Sequence, residues 1–338
     1  MNKIGIIQTA FIGDVVLSTS LIESLHYHYP NARLDIIVKK GNEGLFYNHP
    51  YINNVIVWDK SKNKYIHWLK ILLEIRKYRY DLLINIQRFS ATGLWLFLSK
   101  AKITIGFNKN PLSFSFTHSI THKIDDESHH EINRNHLLTS PLGDLKLLPP
   151  ILYPSKQDVE LIKPYIVDRY ICIAPASVWY TKQFPTHKWI QLINEINFDG
   201  TIYLIGGKDD IECSKEIEKG FIKKLSSPKK LVNLTGELSF LSSAALQKNA
   251  VLNYVNDSAP LHFASSVNAP VVVVYCSTIR NFGYGPLSQT SFIVESNLSL
   301  DCRPCGLHGK KKCPKGHFNC ANSIQMNQLI EPLKMLTE

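Results

Sequence analysis

The sequence predicts an α/β protein made of two halves, each a parallel sheet covered on both faces by helices. Three observations carry this. Short apolar runs alternate with helix-period segments as far as about Phe107 and again from Tyr170, and such alternation implies parallel strands joined by helical crossovers. The prolines Pro149, Pro150 and Pro154 punctuate the middle as a linker. The 338 residues exceed one typical domain, so two domains, 1–155 and 156–322, each have chain enough for a core.

In the first half, Ile4–Gln8 reads as a buried strand, Thr9–Ser18 as a loop carrying Gly13 and Asp14, and the residues to Leu25 as a helix. Arg33–Val38, Asn54–Val57, Asp81–Ile86 and Ile103–Phe107 are further strands, with helical stretches near Glu43–Tyr47, Tyr65–Tyr78 and Thr92–Lys100. The alternation fades in the polar stretch Pro111–His136. In the second half, strands Tyr170–Ala174, Thr201–Ile205 and Leu231–Leu234 alternate with helices near His187–Asn197, Asp209–Leu225 and Phe240–Gln247. A last helical stretch, Ser323–Leu336, follows the second domain and is free to return to the first. No internal repeat or low-complexity tract interrupts this order.

The second half is organised around Val251–Thr278. The apolar run Val251–Val255 breaks at Asn256-Asp257-Ser258-Ala259-Pro260, resumes as a helical pattern over Leu261–Val267 and returns as the apolar run Val271–Tyr275. Asp257 or Ser258 is placed to cap the helix, and Pro260 suits its first turn, where a missing N–H loses no partner. The helix then opens its amino end at the carboxyl end of a buried strand, where open α/β sheets bind ligands and the dipole favours an anion. A phosphate suits that position, and an ordinary capped βαβ unit without a ligand reads equally well from this stretch alone.

Hydrophobic residues at 44% and charged residues at 20% describe a soluble globular chain, not a disordered one. The 38 Lys+Arg against 28 Asp+Glu give a formal charge of +10, which favours an anionic partner: nucleic acid, a phosphorylated sugar or an acidic membrane surface. No recognised nucleic-acid motif accompanies the charge, so nucleic acid is excluded from the expected partners. No apolar run reaches the roughly 18 residues of a spanning helix, and the amino terminus, interrupted by Asp14, is a poor signal peptide. The expectation is a cytoplasmic protein able to rest on a membrane face. Lys60–Arg79 sets aliphatic and aromatic residues at near-helical spacing among cations, the pattern of an amphipathic helix meeting acidic headgroups or of a core-packed helix with a lysine-rich outer face. Arg303, Lys310, Lys311, Lys312 and Lys315 form a second basic cluster.

Candidate chemistry follows the strands. The glycine of Gly13-Asp14 allows close approach of a ligand, and the Asp14 carboxylate is placed either to take a hydroxyl proton as a general base or to cap the helix. Ala174–Pro185, A-P-A-S-V-W-Y-T-K-Q-F-P, brings the Ser177 hydroxyl and the Lys182 cation to the same sheet edge as Asp257. A flexible ammonium suits a pyrophosphate leaving group, though a solvated loop lysine has the same sequence signature. In Gly206-Gly207-Lys208-Asp209-Asp210 the glycines permit a tight turn and an Asp can accept ribose hydroxyls, with helix capping by Asp209 as the alternative.

Taken together, I-G-I-I-Q-T-A-F-I-G-D-V-V, A-S-V-W-Y-T-K-Q-F-P, N-D-S-A-P-L-H-F-A and the cysteine-rich end, in that order over nearly the whole chain, resemble glycosyltransferase family 9, the ADP-heptose:lipopolysaccharide heptosyltransferases. The resemblance implies a GT-B fold, two Rossmann-like domains facing across a cleft, with an amino-terminal acceptor-binding domain and a carboxyl-terminal domain for the nucleotide sugar. It implies an inverting glycosyltransferase that moves heptose from ADP-heptose to a lipopolysaccharide core acceptor, in the cytoplasm with peripheral contact to the inner membrane. By motif, Asp14 looks like the general base with Gly13 beside the donor, and Lys182 like the cation at the donor pyrophosphate. Asp257, Ser258, Ala259 and His262 look like the nucleotide turn, Ser177 like a neighbour of the phosphates, and Asp210 with Gly236-Glu237-Leu238 like the ribose and adenine contacts. No Asp-x-Asp cation signature stands out, so no required cofactor is expected and protein groups would neutralise the leaving ADP. The family commonly has Asp-Thr-Gly-Pro where this chain has Asp257-Ser258-Ala259-Pro260. Alanine disfavours positive φ, so either the turn avoids that region or the phosphate sits further off. The alternatives are a transferase using another nucleotide sugar or a protein acceptor, a nucleotide-sugar epimerase of the same architecture, and a nucleotide-binding or zinc-stabilised interaction protein.

Of the seven cysteines, Cys172, Cys213 and Cys276 lie singly in elements that read as buried. Cys302, Cys305, Cys313 and Cys320 follow as C-x2-C-x7-C-x6-C. That spacing is open to a structural zinc, with His308 and His317 as further ligands, or to a packed loop of reduced thiols, which is the default. A cytoplasmic setting disfavours disulfides.

Overall fold

The structure, a computed structural model, describes residues 1–61, 63–124, 130–222 and 229–337. The chain divides into two compact units, Met1–Tyr153 and Pro154–Glu338. The first contains β1 (Lys3–Gln8), α1 (Ile12–His28), β2 (Arg33–Lys39), β3 (Ile52–Trp58), α2 (Lys64–Tyr78), β4 (Leu82–Asn85), α3 (Ser90–Leu98), β5 (Ile103–Phe107), β6 (His118–Ile120) and α4 (Glu131–His136). The second contains α5 (Lys156–Ile162), β7 (Tyr170–Ala174), α6 (Thr186–Glu195), β8 (Thr201–Leu204), α7 (Ile211–Gly220), β9 (Lys230–Asn233), α8 (Phe240–Asn249) and β10 (Leu252–Asn256). It continues through α9 (Ala259–Ser266), β11 (Val271–Tyr275), β12 (Ser291–Glu295), α10 (Asn319–Asn322) and α11 (Asn327–Thr337).

The strand orders are β3-β2-β1-β4-β5-β6 and β12-β11-β10-β7-β8-β9, with parallel pairing throughout the described ladders. Counted from the first strand of each unit, both are the doubly wound order 3-2-1-4-5-6, so each unit is Rossmann-like and each sheet has a point where the order reverses. Helices on both faces make the central strands continuous apolar runs: Ile4, Ile6 and Ile7 of β1 and Val271–Val274 of β11 have no exposed surface. Alternate residues of a strand serve opposite faces. In the second unit Ile171, Ile173 and Tyr254 pack with Trp189, Leu329 and Leu333, while Tyr170, Cys172 and Val255 pack with Leu246 and Leu261. Each fully buried Ile or Leu contributes roughly 1.5–3 kcal/mol against its exposed state.

The elements read from the sequence are present with informative shifts. The expected loop Thr9–Ser18 is already helix from Ile12, so Gly13 and Asp14 lie in the first helical turn. Glu43–Tyr47 provides only a 3-10 turn over Glu43–Leu45. The helix expected to reach Leu225 is described to Gly220; residues 223–225 of it lie outside the described residues, as do residue 62 of the basic stretch and residues 125–129 of the polar one. The last helix places Leu329 and Leu333 in the second unit's core, where the Tyr254 hydroxyl donates to Leu329 O at 2.9 Å. Cys172 and Cys276 are buried, but Cys213 is half-buried.

The chain leaving the first unit runs along α1. Lys146 N donates to His28 Nε2 at 2.7 Å, Leu148 N to Ser24 Oγ at 3.1 Å and Ile151 N to Thr19 Oγ1 at 3.0 Å, while Ser20 Oγ donates to Leu148 O. The Tyr153 hydroxyl ends the series at 3.0 Å from both oxygens of Glu23. Buried polar groups need partners, and this strap supplies them to Thr19, Ser20, Glu23 and Ser24, which recur at four-residue spacing on one side of the helix. Among the described residues no helix is long and apolar enough to cross a membrane.

Candidate active site

In the second sheet the order reverses between β7 and β10, and the loops leaving their carboxyl ends meet. Lys182 closes a 3-10 turn over Tyr180–Lys182, and its Nζ lies 2.7 Å from Oδ2 of Asp257, the residue after β10. Both side chains are largely buried. The Thr278 hydroxyl donates to the same carboxylate oxygen at 2.7 Å. Asn256, fully buried at the end of β10, joins the two loops: Phe184 N donates to its Oδ1 at 2.9 Å, and its Nδ2 donates to Pro175 O at 2.7 Å. Gln183 Nε2 donates to Ser177 O, which folds Ser177 back toward the Lys182 turn.

The capping expected of Asp257 or Ser258 is not made. Ser258 occupies the N-cap position of α9 without a side-chain cap bond, and the Asp257 carboxylate is engaged by Lys182 and Thr278. The N-cap side chain therefore leaves the amino end of α9 open, where an anion would meet the positive end of the dipole. Ala259 begins the helix and is absent from the residues with positive φ, so the turn avoids the region that would need glycine. His262 is buried on the same helix.

The neighbouring strand ends bring the other donor candidates together. Gly236 N donates to Gly206 O at 2.9 Å, linking the loops after β8 and β9. Asp210, not Asp209, closes the amino end of the helical segment here, accepting from Gly207 N at 2.8 Å. Burial raises the Asp210 carboxyl above its ordinary value. Gly236 has φ of +83°, a conformation that a side chain would strain, and Leu238 packs partly on the core. Ser177, Lys182, Asp210, Gly236, Leu238 and Asp257 thus lie beyond the carboxyl ends of the four adjacent strands β10, β7, β8 and β9.

In the first unit, Asp14 follows β1, which with β4 forms the reversal point of that sheet. The N-cap of α1 is Phe11 without a side-chain cap bond, so Asp14 is not the cap; it is the third helical residue, where the dipole favours a carboxylate. Gln8 Nε2 donates to Asp14 O at 3.3 Å, and Gln8 Oε1 accepts from Ala10 N at 3.3 Å and from Gln87 Nε2, tying this turn to the chain after β4.

Two positioning residues were not assigned from sequence. Asn256 had a signal, since an amide ending a buried strand must find partners. Arg303 has none and stands in the sequence as one cation of a basic cluster. Its guanidinium turns inward, donating to Cys276 O at 2.8 Å, Thr278 O at 2.9 Å and Glu295 Oε2 at 2.6 Å. Cys305 N donates to Ser277 O at 2.9 Å, and Thr181 and Lys310 exchange bonds of 3.1 and 2.8 Å. The cysteine-rich segment therefore braces both the Lys182 turn and the Thr278 that holds Asp257. Burial, followed by neighbouring thiols, pushes the Cys320 thiol up to about 11. Cys302 Sγ lies 3.8 Å from His317 Nε2. Yet among the described residues no group of three or more His, Cys, Asp or Glu side chains is arranged to hold a metal ion, so the spacing that suggested zinc at Cys302, Cys305, Cys313 and Cys320 yields no preformed ligand set.

The family model for glycosyltransferase family 9 (heptosyltransferase) matches residues 68–314. Lipopolysaccharide heptosyltransferase 3 of Escherichia coli is 27% identical over 291 residues, 80% of this chain and 83% of that protein. The glycosyltransferase family 9 structure from Veillonella parvula DSM 2008 aligns with a TM-score of 0.82 at 19% identity, covering 99% of this chain and 97% of the other. E. coli ADP-heptose lipopolysaccharide heptosyltransferase II aligns with a TM-score of 0.78 at 19% identity, covering 99% and 98%. The two Rossmann-like units are accordingly those of the GT-B class. With the family model spanning most of the chain, this protein is a glycosyltransferase and belongs to glycosyltransferase family 9, the heptosyltransferases.

Proposed function

We propose that the protein is an inverting heptosyltransferase that moves heptose from ADP-heptose to a lipopolysaccharide core acceptor. The observation that carries the reading is the buried Lys182–Asp257 pair at the reversal point of the second sheet, beside the amino end of α9, which the Ser258 side chain does not cap. A diphosphate docked there meets the Lys182 ammonium and the helix dipole, with Ser177, Ser258, Ala259 and His262 around it. Asp210, Gly236 and Leu238 on the adjacent strand ends are the ribose and adenine contacts. The second unit is thus the donor domain and the first the acceptor domain. Asp14, with Gly13 beside it, takes the proton of the acceptor hydroxyl as that oxygen attacks the anomeric carbon. The bond from that carbon to the pyrophosphate oxygen breaks, ADP leaves with the electron pair onto Lys182 and α9, and the configuration inverts. The name of the E. coli relative, an ADP-heptose lipopolysaccharide heptosyltransferase, supports the donor and the acceptor. The enzyme works in the cytoplasm, at the inner membrane where such an acceptor is anchored.

The test is product analysis with ADP-heptose and a heptose-free lipopolysaccharide core. ADP and a heptosylated core in equal amounts are expected. An altered nucleotide sugar without ADP would identify an epimerase, and transfer only from a different nucleotide sugar would overturn the donor.

A further inference from the structure

The helix α2 carries apolar residues on two sides. Ile71, Leu72 and Ile75 are buried in the first unit's core, as a helix covering a sheet requires. Tyr65, Ile66, Leu69 and Leu73 are 76%, 51%, 50% and 57% exposed. At about 100° per residue these four fall within one sector of roughly 100°, which adjoins the buried stripe beside Leu72 and runs from there toward the far side of the helix. A helix at a water-facing surface holds polar residues in that sector, and a cluster of large exposed apolar side chains marks a contact surface. The charge around the cluster is one-sided. Arg76 lies within the sector, Lys70 and Lys77 at its edge and Lys64 at the helix start, while Glu74 is the one carboxylate in Lys64–Tyr78.

We propose that this face of α2 docks the enzyme on an anionic bilayer. Tyr65, Ile66, Leu69 and Leu73 enter the boundary between headgroups and acyl chains, and the lysines remain at the lipid phosphates. Apolar residues flanked by cations, on a helix lying along a surface, are the requirements of an interfacial helix. A complementary protein groove would accommodate the apolar residues but would leave the one-sided charge without a role. The inference rests on the proposed function only in that the acceptor is lipid-borne; it concerns where the enzyme meets that acceptor, not how transfer occurs.

The test is co-sedimentation of the full-length protein with vesicles of phosphatidylethanolamine and phosphatidylglycerol, against vesicles of phosphatidylcholine alone. Binding to the anionic vesicles that weakens with salt is expected. Leu69→Glu/Leu73→Glu should weaken it by tenfold or more, and Lys70→Gln and Lys77→Gln by about fivefold each. Leu69→Gln/Leu73→Gln serves as a milder second variant, with thermal unfolding of each protein to verify the fold. Absence of binding by the parent, or equal binding by the parent and both leucine variants, would overturn the proposal. So would a dimer that the leucine substitutions dissociate without vesicle binding, which would assign the face to a second copy. Transfer to a lipid-free core oligosaccharide should be unchanged in the variants, and its absence in the parent would strike the proposed function while leaving the docking result standing.

Discussion

Glu23 offers a test of the electrostatics of the first unit. Its carboxyl is 5% exposed in the middle of α1, accepts from the Tyr153 hydroxyl and lies 3.5 Å from His49 Nε2. Burial raises it from the ordinary 4.5 to about 7, with the Tyr153 bond pulling the other way. Burial, and then the charge of His26, pushes His49 down to about 4; its Nδ1 accepts from Tyr51 N, so in the neutral ring Nε2–H faces Glu23. A carboxyl with a raised folded-state pKa contributes stability that is complete below its unfolded value near 4.5 and is lost as pH rises through about 7. The amount lost is on the order of 3 kcal/mol. Glu23→Gln keeps the shape and the bond from Tyr153 and does not titrate. The variant should match the parent near pH 5 and exceed it at about pH 8 by up to roughly 3 kcal/mol, a gap of up to about 10 °C in the first unit's midpoint. His49 has the opposite sign, its contribution complete above its ordinary 6.5 and lost as pH falls toward about 4, but both proteins carry it, so it largely cancels in the difference. Scanning calorimetry of both proteins across this range decides the matter. A gap that does not change with pH, or a variant less stable in mild alkali, would refute the buried neutral acid.

Asp14→Asn should slow transfer by about 10²–10⁴-fold with donor binding intact, while its first-turn position limits the stability change to about 1 kcal/mol or less; parental turnover of the folded variant would remove Asp14 as the base. Lys182→Ala should lower kcat/KM for ADP-heptose by roughly 10- to 150-fold, the equivalent of about 1.5–3 kcal/mol for a charge-assisted contact. Because it also leaves the Asp257 carboxylate buried without its cation, Asp257→Asn in the same chain should restore part of the lost thermal midpoint but none of the donor use. Recovery of donor use in the double variant would make Lys182 a structural residue.

The central strands were legible because a strand buried on both faces can only be an apolar run, and the residues after those runs became the candidate site. What could not be read was which side chains pair. Asp257 and Ser258 are good cap residues by type, but a buried lysine and a threonine hydroxyl outcompete backbone amides for the Asp257 carboxylate. Gly13 suggested a loop before Asp14, yet a glycine in the first helical turn costs little and the helix starts at Ile12. The strand β6 was hidden because it is short, polar and largely exposed, and β12 because its apolar run is only the three residues Phe292-Ile293-Val294. The period of the last helix showed its apolar face but not the sheet that Leu329 would meet. Arg303 looked like any surface cation because the carbonyls it binds belong to distant backbone.

The contiguity of the two sheets has a consequence for biosynthesis. All six strands of the first sheet have been made by Ile120, and the strap that satisfies α1 is complete at Tyr153. At about 5–20 residues per second, translation gives that unit roughly 10–40 s to fold before the second is finished. The second unit waits longer: its core beside Trp189 and Tyr254 stays uncovered until Leu329 and Leu333 emerge. A message cut short before α11 therefore yields a chain with a sound first unit and an open apolar face on the second, the kind of surface on which chaperones and proteases act.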